Sequence, residues 1–204
     1  MLIVGETGSG KELFARAIHS LGPRRNFPFV PVDCAAIPEL LFESELFGHL
    51  RGAFTDASHD RKGLAAVAEG GTLFLDEIDA LSLRSQAKLL RFLEERSYRP
   101  LGSERLIGLN VNVVAATNSD LQELVHSGKF RADLFFRLNV LRLRLVPLRE
   151  RRDDIPLLAS HFIRQISLEN EIGPRILTPA AIWKLTVYDW PGNVRELYNV
   201  SSAR

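Results

Sequence analysis

The sequence predicts an α/β fold, with a mainly parallel sheet flanked by helices and then a small α-helical subdomain. Three observations carry this. Short apolar runs recur at residues 2–4, 29–32, 72–75, 111–115 and 140–145. Helical patterns separate most of them, at 11–20, 84–95 and 121–126, an alternation expected of strands joined by crossover helices. After Pro147 only helical patterns remain.

Leu2-Ile3-Val4 reads as a short buried strand, and it leads straight into Gly5-Glu6-Thr7-Gly8-Ser9-Gly10-Lys11. That is the G-x-x-x-x-G-K phosphate loop, and the strand before it and helix after it are its required context. Glycines let the backbone fold tightly with N–H groups turned inward, where they cradle phosphate oxygens. The helix beginning at Lys11 adds the positive end of its dipole, and Lys11 supplies a mobile charge for the outer phosphates. A nucleoside triphosphate is the expected ligand. Glu12 stands where many such loops carry a Ser or Thr that touches magnesium, so another residue must hold the metal.

Thr72-Leu73-Phe74-Leu75-Asp76-Glu77 is an apolar strand ending in two carboxylates. The carboxyl edge of a parallel sheet delivers such side chains toward the phosphate loop. Asp76 would bind Mg2+, directly or through water, and Glu77 would orient and polarise the attacking water. Asp33 ends the second run and either contacts Glu77 or caps its own strand. Thr117 and Asn118 end the fourth, placed either to hydrogen-bond the water and terminal phosphate or to form a turn. Residues 130–138 read as a short amphipathic helix carrying Arg131 and Arg137. Six positions of helix set the two heads about 120° apart. Locally this is a solvated face with an Arg–Asp pair; the alternative is two cations flanking a phosphate from outside.

In the helical subdomain Asp153 is expected to cap one helix, with Asp154 in its first turn, and Thr178-Pro179 to start another. Asn193 with Glu196 reads as a capping box for a third helix running toward Arg204. Arg195 lies near its start, where the dipole disfavours a cation. A nearby phosphate would remove the conflict, and so would pairing with Glu196 or Asp189. The glycine-punctuated segment 48–57 sets Phe54 among polar residues. Phe54 is either an exposed binding anchor or folds back and packs.

Bulk properties bound these readings. The 204 residues suit one domain or a large one with a small one; the expected division is 1–146, α/β and nucleotide-binding, and 147–204, helical. A net charge of +1 gives no support for bulk nucleic-acid binding. Of 26 basic residues 21 are Arg and 5 are Lys, a bias that suits phosphate and carboxylate forks. The single Cys34 excludes an internal disulfide and a cysteine-based zinc cluster, and it fits a reducing cytoplasm. No apolar run approaches membrane-spanning length. The abrupt start in a strand and end in a helix are those expected of a piece excised from a longer protein.

Seven segments then converge. GETGSGKE at 5–12, ELFGHLRGAFTDA at 45–57, GGTLFLDEI at 70–78, AATN at 115–118, FRADLFFRLNV at 130–140, PLRERRDDIP at 147–156 and WPGNVREL at 190–197 together resemble the central AAA+ domain of bacterial enhancer-binding proteins, the NtrC-like activators of sigma-54 RNA polymerase. The resemblance covers nearly the whole chain, and Glu12 after the lysine is part of that family's pattern. It implies an AAA+ P-loop core with a helical lid and a Mg2+-dependent ATPase activity. Gly5 to Glu12 would bind ATP, with Lys11 on its phosphates. Asp76 would handle magnesium and Glu77 the hydrolytic water. Asp33 matches a switch residue that is commonly Asn, Thr117 and Asn118 match the first sensor, and Arg195 the second. Arg131 and Arg137 match arginine fingers that act on the neighbouring subunit of a ring, usually a hexamer.

The segment Gly52-Ala53-Phe54-Thr55-Asp56-Ala57 matches the surface that grips sigma-54, usually GAFTGA in the family. Here Asp56 replaces the second glycine. Asp tolerates a positive φ better than most residues but adds a negative charge. Two functions are therefore expected: an ATPase that remodels the sigma-54 closed promoter complex, or a nucleotide-gated oligomerising module that has lost this coupling. An unrelated AAA+ remodeller is a third reading, and the ELFGHLRGAFT segment argues against it. No helix-turn-helix follows, so the chain alone is not expected to read an enhancer, and promoter DNA enters only indirectly.

Overall fold

The computed structural model of the chain describes residues 1–170, 173 and 176–202. They form two compact units, one from Met1–Val4 with Glu12–Leu143 and one from Gly5–Lys11 with Arg144–Arg204. In chain order the elements of the first half are β1 (Leu2–Val4), α1 (Lys11–Leu21), β2 (Phe29–Asp33), α2 (Glu39–Phe47), β3 (Gly48–His49), β4 (Arg61–Lys62), α3 (Leu64–Val67), β5 (Thr72–Asp76) and α4 (Leu83–Glu95). There follow β6 (Ser97–Tyr98), β7 (Ile107–Gly108), β8 (Asn112–Thr117), α5 (Leu121–His126), α6 (Ala132–Leu138) and β9 (Arg142–Arg144). The rest is helical: α7 (Ile155–Glu169), α8 (Pro179–Val187) and α9 (Asn193–Ser202). Residues 203–204, the end of the expected last helix, lie outside the described residues.

Five strands make one sheet in the order β2-β5-β8-β1-β9. The β2–β5, β5–β8 and β1–β8 pairings are all parallel, so each crossover passes over a face of the sheet, most through a helix. β5 has neighbours on both sides, and its Leu73, Phe74 and Leu75 are at most 1% exposed. That near-continuous apolar run is the mark of a strand covered on both faces. The register sets Val4 opposite Thr117 and Asp33 opposite Asp76. β1, β2, β5 and β8 therefore all finish at one carboxyl edge.

α4 buries Leu89, Leu90 and Phe92, and its N-terminus is capped by Ser82, whose hydroxyl accepts from the Ser85 N–H. Each fully buried Leu or Phe of this kind contributes about 1.5–3 kcal/mol. Two local expectations need correction. The fifth strand is only Arg142–Arg144; Val140 and Leu141 are apolar but 82% and 62% exposed. The fourth starts at Asn112 and reaches Thr117, Val111 being buried just ahead of the ladder. α2 carries no clear sequence signal, because its acidic residues interrupt the apolar run and Pro38 gives it no side-chain cap. The two-residue strands of the hairpins β3–β4 and β6–β7 are too short to show any period.

In the helical unit Leu148, Ile155, Ala159, Trp190 and Leu197 form a separate core. Thr178 caps α8 as expected, its hydroxyl accepting from the Ala181 N–H at 3.2 Å, with Pro179 in the first turn. Asp153 does not cap α7. It lies in a 3-10 turn, Arg152–Asp154, and Asp154 before α7 makes no side-chain cap bond. Pro156 removes one of the N–H groups such a cap would use. No helix among the described residues is long and apolar enough to cross a membrane.

Candidate functional site

The phosphate loop needs its glycines. Gly8 and Gly10 sit at φ 76° and 95°, where a Cβ is costly, and a Cβ on Gly8 would lie 2.2 Å from the Gly192 carbonyl oxygen. Lys11 is 8% exposed, and its Nζ donates to the Gly5 and Glu6 carbonyls at 3.0 and 3.4 Å. Ser9 is buried and its hydroxyl has no hydrogen-bond partner. A buried polar atom left this way costs about 1–3 kcal/mol, a cost an incoming anion's oxygen removes. Ammonium, orphan hydroxyl and glycine backbone together fit a phosphate group. Glu12 is exposed and its side chain is paired with Arg16 at 2.7 Å.

The Glu6 side chain is already paired. Its carboxylate accepts both Arg149 guanidinium nitrogens at 2.8 and 2.6 Å and the Asn193 amide at 3.1 Å. These bonds hold its carboxyl at about 2, against 4.5 for the free group. The sign follows: the folded state gains from an ionised Glu6 above about pH 4.5, and the gain is lost as pH falls through about 2. The carboxylate is 42% exposed, so solvent screens much of that gain.

At the sheet edge, Glu77 has φ 50° and ψ 48°, a left-handed conformation that no pattern in the sequence signals. Its N–H donates to the Asp76 carboxylate at 3.0 Å. Thr117 is fully buried and donates to Asp79 at 2.5 Å, while the Ser119 hydroxyl reaches the other Asp79 oxygen at 2.7 Å. Asp79, missed by sequence reading, thus ties the end of β8 to the 3-10 turn Ile78–Ala80 that follows Glu77. Asn118 is exposed and accepts from the Ser119 hydroxyl at 3.2 Å. Asp33 takes the second of its two readings: its carboxylate caps the turn by accepting the Ala35 and Ala36 N–H groups at 3.0 and 3.2 Å. No hydrogen bond among the described residues joins it to Glu77. Burial, reinforced by Asp33 and Asp76, pushes the neighbouring Cys34 thiol up to about 12.

Arg131 and Arg137 do not share a helix as expected. Arg131 is extended, φ −76° and ψ 132°, at the N-cap of α6, so the helical angle between them does not apply. Its guanidinium forks onto Asp133 at 3.1 and 2.8 Å. Its N–H is held by Gln86 at 2.9 Å, a fully buried side chain that also binds the Leu81 and Lys129 carbonyls. Arg137, in the last turn, donates to the Leu93 carbonyl at 2.9 Å. Arg195 is exposed. Neither suggested partner is paired with it: Glu196 accepts from the Gly192 N–H and Asp189 from Arg152. No capping box forms: Glu196 bonds the Gly192 N–H and not that of Asn193, which goes to the Trp190 carbonyl, and the Asn193 amide is used elsewhere.

The 50–60 loop is the tip of the β3–β4 hairpin. Gly52 is at φ 81° with open space around it. Phe54 meets both readings halfway: 37% exposed, its ring edge-on to His49 at 4.9 Å. Within the expected surface Gly52 to Ala57, Gly52 and Phe54 to Asp56 are exposed, while Ala57 is 5% exposed. Asp56 is exposed and not among the positive-φ residues, so this backbone does not require glycine there.

Comparison with known proteins agrees with this geometry. Residues 1–144 match the sigma-54 interaction domain and residues 149–203 an AAA+ ATPase lid domain. The transcriptional activator HyfR of Escherichia coli K12 is 54% identical over 98% of the chain and 30% of its own length. GlrR of the same strain is 52% identical over 98% of the chain and 45% of its own. The chain thus spans less than half of these relatives. The structure of NtrX from Brucella abortus in complex with ADP superposes with a TM-score of 0.90 at 37% identity, covering 98% of this chain and 44% of that one. Hsp104, at 20% identity and a TM-score of 0.71 over 98% of this chain and 38% of that one, shares the fold alone. The chain therefore belongs to the sigma-54 interaction domain family, an AAA+ core followed by its helical lid.

Proposed function

We propose that the chain is a Mg2+-dependent ATPase module that couples hydrolysis to remodelling of the sigma-54 RNA polymerase closed complex. The observation that carries this is the phosphate loop with its buried, unpartnered Ser9 hydroxyl, in a chain of this family. NtrX has been solved with ADP and with ATP, which supports a nucleotide here. Residues 1–146 form the nucleotide-binding part and 147–204 the lid. Lys11 neutralises the outer phosphates and Asp76 holds Mg2+. Among the described residues no group of three or more His, Cys, Asp or Glu could cage a metal ion; Asp76 would hold Mg2+ together with oxygens that the nucleotide and water supply. Bound Mg2+ withdraws charge from the transferred phosphoryl group. Glu77 orients the attacking water, Asn118 and Thr117 with Asp33 register the state of the site, and Arg195 reaches the nucleotide from the lid. Arg131 and Arg137 serve the site of the next subunit in a ring, a hexamer in this reading, in the cytoplasm. Promoter DNA is engaged only through the polymerase.

The second reading, a nucleotide-gated module without sigma-54 output, rests on Asp56. The backbone there is unstrained, so the substitution changes a charge and not the loop, which favours retained coupling. The test is capture of sigma-54 by protein trapped with a transition-state-like nucleotide. Capture that Phe54→Ala abolishes without loss of ATPase activity is the expected result; a wild-type chain that hydrolyses ATP but captures no sigma-54 supports the module instead.

A further inference from the structure

The phosphate loop is held from behind. Three successive carbonyls each accept from a different residue of the helical unit: Thr7 from the Asn193 amide at 3.1 Å, Gly8 from the Arg195 N–H at 3.2 Å, and Ser9 from the Arg151 guanidinium at 3.3 Å. A trans peptide group is planar, with its N–H opposite its C=O. The Ser9 N–H is held within the loop by the Glu6 carbonyl at 3.2 Å, so turning these carbonyls one way leaves the N–H groups of Gly8 and Gly10 turned the other way. Those are the donors a phosphate requires.

Asn193 is the hub of this arrangement. It is fully buried and sits at φ 54°, a conformation Asn accepts more readily than most residues. Its oxygen accepts the Leu148 N–H at 2.8 Å, while its NH2 group donates to the Thr7 carbonyl and to Glu6. The reverse orientation would set oxygen against two acceptors, so the chemistry fixes the amide. Glu6 in turn holds both Arg149 nitrogens.

The geometry points to Asn193, with the Glu6–Arg149 pair it braces, as a positioning device that keeps the loop's N–H groups aimed at phosphate and so sets nucleotide affinity without touching the nucleotide. This rests on the phosphate-site reading above. The test is displacement of a fluorescent ATP analogue from the whole chain by ATP or by adenosine, which lacks phosphates. Asn193→Asp keeps the acceptor for Leu148 but sets a carboxylate against Glu6 and the Thr7 carbonyl. ATP affinity is expected to fall about tenfold or more, as unpaired buried polar groups imply, while adenosine affinity stays within about twofold. Adding Glu6→Gln, whose NH2 group can donate to the new carboxylate, is expected to recover part of the loss, the fork onto Arg149 being given up. Arg149→Lys, at the exposed end of the pair, is expected to give the same selective loss at about threefold, since one ammonium cannot reproduce a bidentate fork; it decides the matter if Asn193→Asp does not fold. Equal weakening of ATP and adenosine, or unchanged ATP affinity in a folded variant, overturns the inference. A wild-type chain that binds no ATP overturns the phosphate-site reading instead.

Discussion

Glu77 holds a conformation that costs a residue bearing a Cβ about 1–2 kcal/mol, and it lies one residue beyond the last strand residue, Asp76. Strain of this kind persists where surrounding structure over-determines it, and it concentrates at functional positions. Here the determinants are visible: the Asp76 carboxylate accepts the Glu77 N–H, and the following turn is tied through Asp79 to Thr117 and Ser119. Replacing Glu77 by glycine removes the Cβ clash but adds unfolded-state entropy, at about 0.5–1 kcal/mol. The expected net result is that Glu77→Gly unfolds in urea with a stability about 0.5–1 kcal/mol above wild type while losing turnover. Glu77→Gln keeps the strain and is expected to lose turnover with no stability gain. A Glu77→Gly variant about 0.5–1 kcal/mol less stable than Glu77→Gln would show that the left-handed backbone at this position stores nothing.

The hairpin that carries Phe54 is anchored by α2. Glu45 of that helix forks onto Arg61 of β4, with the second contact at 2.8 Å. Ser44, one position earlier, bonds the Nδ1 of His49 at 2.8 Å, and both residues are buried. His49 then supplies the ring against which Phe54 rests. α2 is itself joined to α4 by Lys88 and Glu43 at 3.0 Å, and α4 follows closely on the Asp76–Glu77 segment. The arm therefore stands on a buried imidazole and not on its own tip. His49→Ala removes a buried ring and leaves Ser44 unpaired, a loss of about 2–3 kcal/mol. Limited proteolysis between residues 50 and 60 is expected to accelerate severalfold, with nucleotide binding unchanged. Cleavage at the wild-type rate would mean that the loop holds its form without the Phe54–His49 contact.

Across the whole molecule, what was legible in the sequence is what the chain encodes locally. Leu2–Val4 running into a glycine loop, and Thr72–Leu75 running into Asp76 and Glu77, each carry strand, ending and chemistry within a few residues. What escaped is bonded over long separations. Asn193 and Glu196 satisfy the pattern of a capping box, but the amide serves Leu148, Thr7 and Glu6, 45 to 187 residues away. Asp33, whose strand-end position suits a cap or a contact with Glu77, is assigned to the cap only by the fold, and Gln86 gives no local sign that it fixes the backbone of Arg131, 45 residues away. The two arginines pose the remaining question at this scale. Within one chain Arg131 is engaged by Asp133 and Arg137 by the Leu93 carbonyl, both exposed and so readily exchanged for a phosphate. If that phosphate belongs to a neighbouring subunit, ATPase activity per subunit must rise with protein concentration until assembly is complete. Removing both fingers is expected to lower turnover about 10³-fold or more. A chain carrying Lys11→Ala has fingers but no competent site, and one carrying Arg131→Ala with Arg137→Ala has the site but no fingers. Each alone is expected to be inactive. Mixed one to one, about a quarter of the interfaces of a closed ring join an intact site to intact fingers, and activity should return to about that fraction. No recovery on mixing, together with turnover that is the same at every concentration, would assign both arginines to their own subunit.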